Sequence, residues 1–117
     1  MRIHHLAFRT GDLARLEQFY VGGLGLAVVR RQESRSLWLD AGGSLVMLEL
    51  RDEGEPAHPT GSQELIAFAI APDARPLVTE RLARAGVLVE ASTEFTLYVR
   101  DPDGRRIGLS SHPVPLA

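Results

Sequence analysis

Two side chains in the first half of the sequence, His5 and Glu49, are of the types that transfer protons. Glu49 interrupts the apolar run 45–48, where a carboxylate is costly unless it faces solvent, a polar pocket or a partner. If both side chains face one cavity within hydrogen-bond reach of a substrate, they could act as an acid/base pair. The simpler alternative for His5 is a pocket-lining imidazole with a satisfied hydrogen bond, because one histidine alone specifies no chemistry.

Three further residues are candidates for ligand binding. Trp38, the single tryptophan, is either a core residue or a wall on which a flat ligand stacks. On a strand over 94–100, alternation places Tyr98 and Arg100 on the same face. This pair is therefore a candidate contact for an anionic or oxygen-rich ligand. The alternative is a solvent-facing strand with an ordinary salt bridge.

The elements that would position these residues form one pattern that occurs twice. Asp12 is a good N-cap for a helix running to about residue 21, and Gly86 ends a second amphipathic helix that begins near residue 72. Alternating apolar residues and turn signals around the helices predict strands at 2–9, 26–31, 35–41, 44–51, 64–71, 87–91, 94–100 and 105–111.

The two halves of the sequence can be superposed directly. Ala7 falls on Ala67 with an offset of 60, and residues 48–50 fall on 107–109 with an offset of 59. We therefore predict an α+β fold of two tandem βαβββ modules whose curved mixed sheets form a cupped cavity. We expect the 117 residues to form a single domain, with module 1 at about 1–52, an exposed connector at 53–62 and module 2 at about 63–112.

The composition restricts the class of protein. Hydrophobic residues make up 44% and charged residues 24% of the chain, which is typical of a globular domain. The net charge is −2 and no basic block is long enough to follow a phosphate backbone, so no nucleic-acid partner is expected. There is no cysteine, no apolar run of about 20 residues and no signal-like leader, so we expect a cytoplasmic protein without a membrane partner.

Several short motifs together resemble the vicinal oxygen chelate superfamily. They are His5-Leu-Ala-Phe-Arg-Thr-Gly-Asp12, the Phe19-Tyr20 pair, Leu24-Gly25-Leu26 and Asp101-Pro-Asp-Gly-Arg-Arg-Ile107. That superfamily includes glyoxalase I, extradiol dioxygenases, and fosfomycin and bleomycin resistance proteins. The resemblance covers essentially the whole chain, and it implies paired βαβββ modules whose cupped site is frequently completed across a homodimer.

The same resemblance implies four ligand positions in metal-dependent members, on the first and last strand of each module. His5 falls on the first position and Glu49 on the second, whereas Leu65 and Gly108 stand at the other two and cannot ligate. Catalytic divalent metals generally take three protein ligands, so this set is incomplete. The candidates for a third ligand are His112, Glu64 and His4.

Three functions follow as expectations. The first is a small-molecule-binding homodimer similar to bleomycin resistance proteins, without a tightly bound catalytic metal, whose ligand contacts Trp38, Tyr98 and Arg100. The second is a lyase, isomerase or dioxygenase that depends on Fe, Mn, Ni or Zn, with His5 and Glu49 as ligands. The third is a non-catalytic interaction module whose cup is filled by its own side chains.

Overall fold

The computed structural model describes residues 1–114, which form two four-stranded sheets and two α-helices. Module 1 contains β1 (His5–Thr10), α1 (Leu13–Glu17), β2 (Ala27–Gln32), β3 (Ser36–Asp40) and β4 (Leu45–Leu50). Module 2 contains β5 (Leu65–Ala69), α2 (Arg75–Arg84), β6 (Ala91–Ser92), β7 (Thr96–Arg100) and β8 (Arg106–Ser110). Within the described residues, neither helix is long and apolar enough to cross a membrane.

The two sheets have the same topology. Their strand orders are β1-β4-β3-β2 and β5-β8-β7-β6, with a parallel pair (β1 with β4, β5 with β8) followed by antiparallel pairs. This arrangement confirms the predicted α+β fold of two βαβββ modules. The sheets are not closed, so each keeps one face that no helix of the described chain covers.

One face of each sheet packs into a shared hydrophobic core. Strand alternation buries Val46 and Leu48 of β4 and Ile107 and Leu109 of β8, whereas their neighbours along each strand face the other way. Burial stabilises the fold by roughly 1.5–3 kcal/mol for each side chain of this size. The helical segments contribute Leu16, Tyr20 and Leu82, none of which is exposed.

The first helix begins as predicted but changes its winding before it ends. The Asp12 side chain accepts a hydrogen bond from the backbone N–H of Arg15 at 3.1 Å, which caps α1. After five residues the backbone continues as a π-helical turn, Gln18–Gly23, in which the N–H of Leu24 bonds the carbonyl of Phe19. This wider turn brings both Phe19 and Tyr20 into the core.

The sixth strand is shorter than predicted and begins later. We predict a strand over 87–91, but β6 contains only Ala91 and Ser92. The N–H of Val87 bonds the carbonyl of Leu82, which closes the end of α2 instead of pairing with β7. Leu88 is 86% exposed, so its apolar character is not a sign of a buried strand.

The strand registers correct the superposition of the two modules. Ala7 pairs with Met47 and Ala67 pairs with Gly108, so the last strands correspond with an offset of 61 rather than 59. The counterpart of Gly108 is therefore Met47, and Glu49 stands two residues further along β4. A slip of two residues leaves every side chain on the same face, so the apolar pattern of the sequence does not distinguish the two alignments.

Candidate functional site

The face of each sheet turned away from the helices, called here the open face, carries the predicted site residues. On module 1 the rings of His5 and Trp38 lie edge to face with centroids 5.0 Å apart. The indole N–H of Trp38 donates to Gln32 Oε1 at 3.2 Å, which fixes the ring against β2. The Nδ1 atoms of His4 and His5 are 3.0 Å apart, so one of them donates to the other.

Glu49 lies on the same open face but is not brought to His5. His5 pairs with Leu45 and Arg9 pairs with Glu49, so four residues separate the two side chains along the strands, about 13 Å. The Glu49 carboxylate instead forms an ion pair with the guanidinium of Arg9. Within one chain, these two residues do not form an acid/base pair or a shared metal site.

Arg9 also binds the connector. Its Nε and Nη2 donate to the two carboxylate oxygens of Glu55 at 3.0 and 2.7 Å. This guanidinium, helped by the backbone N–H of Asp52, lowers the pKa of Glu55 to about 2. The same contact raises the pKa of Arg9. The resulting Glu49–Arg9–Glu55 cluster fastens the connector to the edge of module 1.

On the open face of module 2, a cation lies over an aromatic ring. The guanidinium carbon of Arg106 is 4.2 Å from the centroid of the Tyr98 ring. Sequence reasoning missed Arg106, although positions 106 and 108 of β8 share a face with position 98 of β7. Cross-strand pairing of the two predicted strands is the signal that could have found it.

Arg100 has another role in this arrangement. Its Nε donates to both oxygens of the Glu90 carboxylate at 3.2 and 3.1 Å. Its Nη1 donates to the carbonyls of Ser62 and Gly104 at 2.7 and 3.1 Å. These contacts join the end of the connector to the turn before β8, and all four hydrogen bonds of Arg100 are made within the chain.

The two metal-ligand positions that the resemblance implies in module 2, Leu65 and Gly108, are in apolar contact with each other. A Cβ built on Gly108 would lie 3.3 Å from Leu65 Cδ1, 3.2 Å from Ala67 Cβ and 3.3 Å from Thr96 Cγ2. The Leu65 side chain therefore occupies the space beside Gly108. Position 108 is therefore closed to a bulkier side chain unless a neighbour moves.

The donor set of this chain does not fit a divalent metal. At the four positions that the resemblance implies stand His5, Glu49, Leu65 and Gly108, and Glu49 is paired with Arg9 and lies about 13 Å from His5 along the strands. Within the described residues, no three His, Asp or Glu side chains are grouped so that they could hold a metal ion. The other candidates, His112, Glu64 and His4, are exposed and lie outside the predicted positions.

A buried polar network joins the two modules behind the open faces. The Tyr20 hydroxyl donates to Asp101 Oδ2 at 2.7 Å, and burial together with this carboxylate raises the pKa of Tyr20 well above its ordinary value. Arg105 donates to the same carboxylate at 3.1 Å and to the carbonyl of Arg9 at 2.6 Å. Its guanidinium carbon also lies 4.9 Å from the centroid of Phe8. These contacts fix module 2 against module 1.

Comparison with known proteins places the fold. The sequence matches the Glyoxalase/Bleomycin resistance protein/Dioxygenase superfamily over residues 2–109. Among curated proteins, no sequence matches the chain. The structure is similar to that of the fosfomycin resistance protein FosX from Mesorhizobium loti, with a TM-score of 0.78, 22% identity and coverage of 97% of this chain and 93% of that chain.

Two other solved structures support the same placement. A mutant of FosX from Listeria monocytogenes, complexed with Mn(II) and 1S,2S-dihydroxypropylphosphonic acid, has a TM-score of 0.76 and 17% identity, covering 97% of this chain and 91% of that chain. Lactoylglutathione lyase from Agrobacterium tumefaciens has a TM-score of 0.71 and 20% identity, covering 93% and 92%. Because the sequence match spans nearly the whole chain, this protein belongs to the glyoxalase/bleomycin resistance protein/dioxygenase superfamily.

Proposed function

We propose that this chain binds a small molecule against the open faces of its sheets, without a metal held by its own residues. The observation that carries this proposal is that aromatic and apolar side chains stand at or beside the positions where the resemblance implies metal ligands. His5 and Trp38 form a ring pair on module 1, whereas Leu65 packs on Gly108 at two of the expected ligand positions. A largely apolar surface with a few polar groups is typical of a ligand site.

The side chains define the chemistry of the ligand. The Trp38 ring offers a flat surface for stacking, and it is only partly buried. Arg106 and Tyr98 on module 2 offer donors for oxygen atoms of the ligand. We therefore expect a molecule with a planar or apolar part and an oxygen-rich part, similar in the latter respect to the phosphonic acid bound by the FosX mutant.

A homodimer is part of the same proposal. In one chain the open faces are uncovered, and Leu65 is 41% exposed on β5. A second copy would cover this surface and bring a module 1 face against a module 2 face.

The cysteine-free composition suits a reducing compartment, and on that ground we propose that the protein is cytoplasmic.

The experiment uses Trp38 as an intrinsic probe, because it is the single tryptophan. Its fluorescence is screened against aromatic and anionic compounds, before and after treatment with a chelator. We expect saturable quenching that the chelator does not change, and calorimetry should show that Trp38→Ala weakens binding about tenfold or more. Leu77→Ala, at a 68% exposed position on α2, is the matched control and should bind normally. Loss of binding after chelation contradicts the proposal, and a complete lack of ligands favours the interaction module.

The second candidate is the metal-dependent lyase, isomerase or dioxygenase. One observation favours it, since His5 is exposed at the first expected ligand position and is open to a metal whose other donors come from a partner chain. Elemental analysis after incubation with Fe(II), Mn(II), Ni(II) or Zn(II) and dialysis tests it. Near-stoichiometric metal that is lost in both His5→Ala and Glu49→Ala establishes this candidate. Metal retained by both variants rules out the predicted ligand pair.

A further inference from the structure

A groove of about 520 Å³ opens between the connector and the start of β5, and it shares Leu65 and Arg106 with the open face of module 2. It lies at the junction of the two modules, because its wall includes Phe8 of β1 and residues of β5 and β8. Leu65 and Ile66 continue this apolar wall. The polar side chains around it are His58 of the connector, Glu64 just before β5, Arg105 just before β8 and Arg106, the first residue of β8.

Two polar atoms of this groove lack hydrogen-bond partners. Among residues 1–114, the buried side-chain nitrogens without a partner are His58 Nε2 and Arg106 Nε, and both residues line the groove. A buried donor without a partner destabilises a protein by about 1–3 kcal/mol, so native structures rarely keep one without a reason. The nearest carboxylate to Arg106 Nε is Glu90 at 3.9 Å, and Glu90 already accepts two hydrogen bonds from Arg100.

The charged side chains around the groove favour a ligand with a single negative charge. Arg105 is neutralised by Asp101 and Asp103 at 3.1 and 3.2 Å, so it has little attraction left for a ligand. Arg106 therefore carries the positive charge available to a ligand. Glu64 also lines the groove and is exposed, which disfavours a ligand with two negative charges.

We propose that this groove binds a small monocarboxylate with an apolar body. The carboxylate oxygens accept hydrogen bonds from Arg106 and His58, and the body lies against Phe8, Leu65 and Ile66. Both unpartnered nitrogens are buried, so the His58 ring must turn as the carboxylate enters. His58 lies in the connector outside every helix and strand, and this location permits such a movement.

The test follows the His58 imidazole by nitrogen-15 NMR while benzoate is added to the 117-residue protein. Benzamide, which has the same shape without the charge, and inorganic phosphate are the two comparison probes. We expect saturable shifts of the His58 signals with benzoate and at least about tenfold weaker binding of the other two. Arg106→Gln and His58→Gln should each weaken benzoate binding by a similar factor. The matched controls are Arg30→Gln on β2 and His112→Gln, which should leave it unchanged.

Two results overturn the proposal. One is equal affinity for benzoate and benzamide, because a binding site for a carboxylate must distinguish the charge. The other is unchanged benzoate binding in both Arg106→Gln and His58→Gln. The Trp38 signal separates this site from the open faces. A ligand that quenches Trp38 without moving the His58 resonances supports the proposed function alone, and benzoate binding seen only at His58 supports the groove alone.

Discussion

At the scale of single residues, the most informative contact is the hydrogen bond between Tyr20 and Asp101. It links the two modules, and both residues are almost fully buried. Tyr20→Phe leaves the Asp101 carboxylate with one partner fewer in the core, so we expect a loss of about 1–3 kcal/mol of unfolding free energy. Urea unfolding measures this loss. Tyr98→Phe on the open face is the control, and its effect should stay within about 0.5 kcal/mol.

The same tyrosine predicts an alkaline limit of stability. Burial first, and then the Asp101 charge, raise the pKa of Tyr20 well above its ordinary value of 10.0. The unfolded chain therefore loses this proton at a lower pH than the folded chain does. The contribution of Tyr20 is complete below pH 10 and declines as the pH rises from there towards the folded pKa. Unfolding experiments in this range should show a smaller decline for Tyr20→Phe, and an identical decline would contradict this explanation.

Glu55 predicts the opposite behaviour at acid pH. Its folded pKa of about 2 lies below the ordinary value of 4.5, mainly because Arg9 binds its carboxylate. The ion pair therefore stabilises the fold above pH 4.5, and this contribution is lost as the pH falls towards 2. Glu55→Gln should be less stable than the natural protein at pH 7 and nearly equal to it near pH 2. Glu53→Gln, at an exposed connector position, is the matched control.

For single residues, the sequence predicts the sheet face of a side chain more reliably than its ion-pair partner. Alternation placed Tyr98 and Arg100 on one face of their strand, and in β7 they pair with Gly108 and Arg106, two residues apart on β8. It did not show that Arg100 bonds Glu90 or that Arg9 bonds Glu49, because such ion pairs depend on which strands are neighbours. The roles predicted for His5 and Glu49 remain predictions, and their separation along the strands depends on a register that the sequence pattern leaves open.

At the scale of elements, the end of the first helical segment depends on one glycine. Gly25 has a φ of +81°, and a Cβ built there would lie 2.9 Å from the guanidinium carbon of Arg81. Gly25→Ala should therefore lose about 1–2 kcal/mol through the left-handed backbone alone. Gly22→Ala is the matched control, because a Cβ there meets nothing within 4 Å. We expect it to be neutral or slightly stabilising in thermal unfolding, and equal effects of the two changes would contradict this account.

The elements themselves were largely predictable. Five of the eight strands lie wholly within the predicted segments, and β1 and β2 each end one residue beyond theirs, because alternating apolar residues and glycine turns identify a half-buried strand. The π-helical turn was not predicted, since it arises from packing Phe19 and Tyr20 into one core and not from local preference. The short β6 was also not predicted, because Leu88 and Val89 are apolar yet exposed. Tertiary contacts decided both cases.

At the scale of the whole molecule, the open faces determine which residues of two copies would meet in a dimer. His5 lies on module 1, whereas Leu65 and Gly108 lie on module 2. If a second copy brings these faces together, a metal site could be rebuilt by restoring donors on module 2. The double change Leu65→His with Gly108→Glu supplies two donors, and removing the leucine relieves one of the close contacts of position 108. With His5, the set reaches three ligands, which is the usual number for a catalytic metal.

We expect this double variant to bind about one Mn(II) or Ni(II) per chain, and sedimentation should show the metal on the dimer. Calorimetry measures the affinity, and the natural protein is the first control. The second control adds His5→Ala to the double variant and should lose most of the metal, because the remaining two donors lie on one module. Binding that survives this change would show that module 2 holds the metal alone, whereas His5-dependent binding on a monomer would show that one chain supplies all three donors. Either result contradicts the prediction that the open faces meet across the dimer.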